Sequence, residues 1–411
     1  MKLTAHATGS EAWWQAKQAQ RIPEIACETP GECTVTFWWR DPAGSEATST
    51  VQRVWIYITG LTDHHKPSRP QSLERVPGTD AWRWQITLAA CWRGSYCLIP
   101  SAHADDFAPS VFSGETPDRA ALREGWRRLL PKAIADPLNP TSWRGGRGHP
   151  VSALHLPEAP AQPGWDRPQT PYAPPVSIHW RSHLLGNTRR IWIFTTGEAQ
   201  PEQRPLAILL DGQFWAESQP IFPALQALTN DKKLPPAVYL LIDAIDTVHR
   251  SHELPCNADF WRAVQNELLA QVQAIAPWRD EAATTVVAGQ SFGGLAALYA
   301  GLNWPQRFGN VLSQSGSFWW PNRGGGQDGW LVEQLVEGRL DAKPLRIFLE
   351  AGIHEPLIHK ANQRLYSLLH TQQPLFWRQV DGGHDALCWR GGLTQGLCTL
   401  WRPLTEPQAR I

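Results

Sequence analysis

A single methionine, six tyrosines and seven cysteines mark what this 411-residue chain has little of. Long apolar runs are also missing: the stretch Ala237–Ile242 is six residues, against the roughly 18 that a membrane-crossing helix needs. Met1–Lys17 is polar and lacks the apolar centre of a secretory signal. Nor does either sign of charge prevail. Lys and Arg total 38 and Asp and Glu total 38, so no net field draws a polyanion or an anionic membrane surface. Neither nucleic acid nor a membrane is therefore expected as a partner, and an anionic ligand must be met by a local cluster. Cysteines 27, 33, 91, 97, 256, 388 and 398 form an odd set with no CxxC pair and no metal-ligand spacing. Free thiols in a reducing, cytoplasmic compartment are the expectation, with no resident metal and no cofactor.

Tryptophan is what the chain has in excess, with 23 residues. Many should fill the core of a β-rich module, and some could line a site where flat rigid rings stack on an aromatic ligand. The length suggests two domains, and 42% apolar with 18% charged residues is ordinary for a globular protein.

The segment His155–Pro175 carries seven prolines. It cannot hold a helix or an inner strand and reads as a semi-rigid connector. That places an N-terminal module at 1–154, a linker at 155–175 and a second domain at 176–411. In the first, Thr34–Arg40, Val51–Thr59, Ala81–Leu88 and Arg93–Pro100 are rich in β-branched and aromatic residues and are separated by turn signals. They predict an antiparallel β-sandwich. Arg119–Leu130 reads as a helix, and Asp136–Pro140 as the end of the module. In the second, apolar strands recur at Arg190–Phe194, Leu206–Leu210, Val238–Ile242, Thr284–Ala288, Asn310–Leu312, Leu345–Glu350 and Phe376–Val380. Helical stretches such as Phe260–Ile275 and Phe292–Leu302 separate them. The alternation predicts an α/β-hydrolase-like, doubly wound and mostly parallel sheet, with chemistry at the carboxyl ends of its strands.

Gly289-Gln290-Ser291-Phe292-Gly293 follows one such strand and opens a helix of small residues. This is G-x-S-x-G in the strand–turn–helix setting that makes it a nucleophile elbow. A hydroxyl needs a base, and the hydrolase order is Ser, acid, His. His384, in Asp381-Gly382-Gly383-His384-Asp385 after the last strand, is the candidate base. Glu355, just past Leu345–Glu350, is the candidate acid, with Asp385, Asp381 and Glu350 as alternatives. The backbone amides of Phe292 and of Gln213, in Asp211-Gly212-Gln213-Phe214-Trp215, are the candidate oxyanion donors.

Those motifs, together with Val35–Pro42, Cys91–Cys97, Ser313–Ser317 and Val380–Asp385, resemble the ferric-siderophore (enterochelin) esterase family across nearly the whole chain. Its C-terminal half resembles the esterase D branch of α/β hydrolases, and its N-terminal half the sandwich module of siderophore esterases, related to carbohydrate-binding folds. The resemblance implies a Ser–His–acid triad on Ser291, His384 and Glu355. It implies as substrate a cyclic triester of serine bearing three catechol amides, whose ferric complex is an aromatic trianion. A neutral protein must hold such a trianion by localised cations, and Arg250, Arg189 and Arg190 are the candidates. Trp215, Trp319 and Trp320 are expected in loops at the same rim. Asp63-His64-His65 reads as a loop rather than a metal site, Gly145–Gly148 matches no phosphate fingerprint, and Gly324–Gly326 reads as part of a lid. Two rival functions remain open at this point: a general carboxylesterase or thioesterase, and a noncatalytic glycan-binding protein.

Overall fold

Hydrophobic alternation along the N-terminal strands is resolved by one antiparallel sheet with a buried cluster on each face. The computed structural model describes residues 6–20, 22–66, 68–146, 148–322 and 328–402. Contacts divide the chain into two units: the first runs to Pro160 and takes in Ile353–Glu355 and Asp381–Cys388, and the second holds the rest.

The first unit contains strands β1 (Glu24–Thr29), β2 (Glu32–Arg40), β3 (Arg53–Ile58), β4 (Gln71–Arg75), β5 (Ala81–Ala89), β6 (Arg93–Ser101), β7 (Ser142–Arg144) and β8 (Pro150–His155). They form one antiparallel sheet in the order β1-β2-β5-β4-β3-β6-β8-β7. Every second residue of β2 (Val35, Phe37, Trp39) joins Val54, Ile56 and Ile58 of β3 and Tyr96 and Leu98 of β6 in a single buried cluster. The opposite faces of β3 and β6, with Trp55, Tyr57, Cys97 and Ile99, pack against Trp126 and Leu129 of the helix Arg119–Leu129. Each fully buried large side chain contributes about 1.5–3 kcal/mol, so this two-sided burial accounts for the aromatic enrichment.

Two expectations need correction here. Asp136–Pro140 does not end the module, because β7 and β8 follow it in the same sheet. Asp136 is buried and accepts a 2.6 Å hydrogen bond from Tyr96 Oη, so it is a structural turn residue and no glycan contact. And not all seven cysteines are free: Cys27 and Cys33 are joined by a disulfide across the β1–β2 hairpin, which brings their Cα atoms to 4.1 Å.

In the second unit, β9 (Val176–Ser182), β10 (Asn187–Thr195), β11 (Leu206–Leu209), β12 (Val238–Ile242), β13 (Thr285–Gln290), β14 (Asn310–Gln314), β15 (Arg346–Gly352) and β16 (Leu375–Val380) form a mixed sheet. Its order is β16-β15-β14-β13-β11-β12-β10-β9, parallel from β16 to β12 and antiparallel at β10 and β9. The chain turns from β11 outward to β12 and later returns to lay β13 on the other side of β11. The carboxyl ends of β11 and β13 therefore flank a topological switch point, the place where open α/β sheets put their chemistry. The proline-rich segment is anchored rather than free: in this unit, Trp165 Nε1 donates to Arg390 O at 2.8 Å. The expected helix over 260–275 is three consecutive pieces, Ala258–Ala263, a wide turn at Val264–Leu268 and Leu269–Ile275.

Candidate active site

At the end of β13 the chain reverses into the helix Phe292–Asn303 through Ser291, whose φ of 58° and ψ of −119° are rare for a side-chain-bearing residue. Such strain persists only where neighbours enforce it. Ser291 N donates to Gln314 O at 3.0 Å, and Ser317 N donates to Ser291 O at 3.1 Å. The turn is so close that a Cβ on Gly289 would lie 2.3 Å from Gly293 O, and one on Gly294 2.6 Å from Ser313 Oγ. Gly289 of the motif and Gly294 just after it are thus steric necessities, whereas a Cβ on Gly293 would meet nothing nearer than Asp211 Oδ2 at 3.5 Å. Ser291 Oγ has Ser317 Oγ at 3.4 Å. The first helical amides, beginning with Phe292, have no intrahelical acceptor and carry the positive end of the helix dipole.

Beneath the elbow runs a buried polar row that the sequence did not suggest. Gln290, Gln314, Glu350 and Arg378 are register partners on β13, β14, β15 and β16. Gln290 Nε2 donates to Gln314 Oε1 at 2.9 Å, Gln314 Nε2 to Glu350 Oε1 at 2.8 Å, and Arg378 Nη1 to Glu350 Oε2 at 2.6 Å. Trp215 closes the row, with Nε1 donating to Gln290 Oε1 at 3.0 Å. At 1% exposure Trp215 is a core residue fixing the strand end, and not the rim contact expected of it. Glu350 is likewise consumed by Arg378 and Gln314 and is removed as a candidate acid. Only the cross-strand register aligns these residues, and a lone sequence does not print it.

The loop after β11 holds Asp211 at φ 52°. Its carboxylate accepts both Arg250 Nε at 2.7 Å and Nη2 at 2.8 Å, and Arg250 Nη2 also reaches Gln290 O at 3.2 Å. Burial works against the charge of Arg250, but Asp211 more than offsets it and holds the guanidinium pKa above its ordinary value. With its side chain 25% exposed, Arg250 keeps Nη1 outside these bonds. Gln213 is anchored through its side chain, Oε1 accepting Ala244 N at 3.0 Å.

The arginine pair lies within β10, and its members differ. Arg190 is half-exposed and paired with Asp243 (2.9 Å) and Glu217 (2.6 Å). Arg189 is 3% exposed and bound to Glu253 at 2.7 Å. An isolated buried charge is costly, and Glu253 neutralises this one. Arg189 is structural, which overturns its reading as a ligand contact. Trp319 and Trp320 are half-buried; Trp319 packs on Phe292 with ring centroids 6.1 Å apart.

The base and acid candidates meet within the first unit. His384 Nδ1 and Glu355 Oε1 are 2.5 Å apart, and Glu355 is 1% exposed. The other acids are occupied. Asp381 Oδ1 binds His354 Nε2 at 2.6 Å, and Lys66 Nζ donates to His354 Nδ1 at 2.7 Å. That donation fixes His354 as the Nε2–H tautomer. Burial tends to raise the pKa of Asp381, but the His354 bond outweighs it and holds the carboxyl below its usual value. Asp385 accepts the amides of Ser95 and Leu387, tying the His384 loop to β6. His354 N donates to Gly382 O at 3.1 Å, so the loop carrying Glu355 is stitched directly to the loop carrying His384.

Asp63, His64 and His65 bring their ligating atoms within 4.8 Å of one another. They are engaged as a hydrogen-bonded loop: Asp63 accepts His65 N at 3.1 Å and pairs with His65 Nδ1 at 2.8 Å, and His64 Nδ1 meets Tyr57 Oη at 2.9 Å. Gly324–Gly326, expected in a lid, lie outside the described residues.

Residues 34–165 match the family described as enterochelin esterase, N-terminal, and residues 182–400 match the putative esterase family. The iron(III) enterobactin esterase of Escherichia coli K12 is 63% identical over 98% of this chain and 99% of its own length. The crystal structure of the ferric enterobactin esterase of Salmonella typhimurium shares 65% identity at a TM-score of 0.93, covering 96% of this chain and 99% of that one. The Shigella flexneri enterobactin esterase, crystallised in the presence of enterobactin, shares 62% identity at a TM-score of 0.89, covering 97% of this chain and 99% of that one.

Proposed function

The chain belongs to the iron(III) enterobactin esterase family, and from that membership and the geometry above we propose that it is a serine esterase opening the ester bonds of ferric enterobactin. The products are the linear dihydroxybenzoylserine trimer, dimer and monomer, and iron is released as cargo. The observation that carries the reading is Ser291, held strained at the switch point of the sheet with a helix N-terminus behind it.

In this mechanism His384 takes the Ser291 proton as the oxygen attacks an ester carbonyl. Glu355 keeps the imidazole in the tautomer whose Nε2 is unprotonated and accepts the proton, and it stabilises the imidazolium that forms. The amides of Phe292 and Gln213 hold the tetrahedral oxyanion. His384 then returns the proton to the departing serine hydroxyl, and water resolves the acyl-enzyme. Arg250 offers Nη1, and Arg190 its exposed edge, to catecholate oxygens. The trianion is thus met by guanidinium groups that Asp211, Asp243 and Glu217 have already oriented.

The antiparallel sheet of the first unit acts as a sandwich-type module, a reading supported by the buried cluster that gathers β2, β3, β5 and β6. The partition at 1–154, 155–175 and 176–411 is supported by the division of contacts after Pro160. The cytoplasmic location now rests on five free cysteines rather than seven. No helix among the described residues is long and apolar enough to cross a membrane.

The test is a product chromatogram. Purified protein given ferric enterobactin should yield trimer, then dimer and monomer, at a kcat/KM well above that for p-nitrophenyl acetate. Preference for the p-nitrophenyl ester would return the chain to the general carboxylesterases.

A further inference from the structure

The first unit contains a cavity of about 650 Å³ that the chemistry above leaves unused. That volume falls within the roughly 300–1,000 Å³ of small-molecule sites. Its walls include Arg123, Arg127, Arg144, Trp126, His64 and His149, and no carboxylate is among the lining residues. Arg127 pairs with Glu124 at 2.8 Å, whereas neither Arg123 nor Arg144 is in an ion pair among the described residues.

Beneath the arginines the wall is aromatic. Trp126 is 1% exposed and packs edge-to-face on Tyr57 at 4.9 Å between centroids, and Tyr57 stacks on His64 at 6.4 Å and meets His149 edge-on at 6.2 Å. Guanidinium groups and rings lining one cavity suit an anionic aromatic group, since guanidinium binds its oxygens and a ring packs against its face. A bare phosphate would use the first feature and not the second.

The cavity's position adds a second, independent argument. The His64 ring lies 4.2 Å from that of His65, and His65 lies 5.2 Å from His384. A row of three imidazoles therefore leads from the cavity wall to the candidate base.

We propose that this cavity is a second binding site, taking one catecholate arm of the three-armed ester while another arm's ester bond is cut. The proposal rests on the esterase reading above, which supplies the ligand class.

The test uses the full chain carrying Ser291→Ala and the probe 2,3-dihydroxybenzoylserine, titrated by calorimetry. Saturable binding at two sites per chain is expected, one at the Arg250 site and one in this cavity. Adding Arg123→Gln and Arg144→Gln should weaken the cavity site at least tenfold and leave the other in place, with the thermal midpoint unchanged because both side chains are exposed. Should the double variant lose stability, Arg144→Gln alone is read, with about threefold expected. Equimolar inorganic phosphate should not displace the probe. Absent binding, unchanged affinity in the arginine variants, or displacement by phosphate would each overturn the site. Hydrolysis of ferric enterobactin by the unaltered chain is measured in parallel. Its loss would refute the esterase reading, whereas its presence with unchanged probe affinity would refute the second site alone.

Discussion

Ser291→Ala should lower turnover of ferric enterobactin by on the order of 10⁶-fold, the scale on which removing the nucleophile of a serine hydrolase acts. The fold should not change with it. Alanine keeps the Cβ and so keeps the same backbone strain at φ 58°, and the hydroxyl it removes has only a 3.4 Å contact with Ser317 Oγ. Substrate affinity should persist, because the guanidinium of Arg250 is held by Asp211 and not by the serine. Rates measured beside a thermal-unfolding curve check both halves. Substantial residual turnover at an unshifted midpoint would move the nucleophile elsewhere.

Glu355→Gln carries the second large effect, a fall of about 10⁴-fold in kcat. The substitution preserves shape, and the buried position can still hydrogen-bond His384. What is lost is the negative charge that selects the Nδ1–H tautomer and stabilises the imidazolium. Asp381→Asn provides the contrast. Asp381 serves His354, so its amide should disturb the stitching of the two loops and cost severalfold in rate at most. If Asp381→Asn proved as severe as Glu355→Gln, the acid would have been placed on the wrong side of the loop pair.

The sequence was most legible where local chemistry and position coincide. The elbow could be read because G-x-S-x-G sits between a continuous apolar strand and a helix of small residues, and His384 because only one Gly-Gly-His loop follows the last strand. Glu355 followed from chain order, and the structure brings it to His384. Two of the strands that were missed are short or exposed. β7 is three residues, and β1 shows five exposed positions of six, so neither carries a period that a one-dimensional reading detects.

Most of the readings that needed correction failed because the partner is distant in sequence or is met only when strands pair. Arg189 looks like a rim cation until Glu253 arrives from 64 residues away. Trp215 looks like a loop aromatic until Gln290 takes its indole proton from a separation of 75. The row from Gln290 to Arg378 requires four strands to be in register, and Cys27 and Cys33 became partners only because a hairpin closed between them. Sequence patterns report which residues want burial or a turn, and tertiary register decides which polar group meets which.

The most direct measurement is a rapid-quench reaction of stoichiometric protein with ferric enterobactin, followed by mass spectrometry of the digested chain. Attack by the Ser291 hydroxyl predicts a transient adduct on the peptide containing Ser291, heavier by the mass of the iron-free cyclic triester because ring opening expels no fragment, and absent from the Ser291→Ala chain. Hydrolysis that runs to linear trimer with no adduct at Ser291 at any quench time, or with an adduct on another residue, would contradict it.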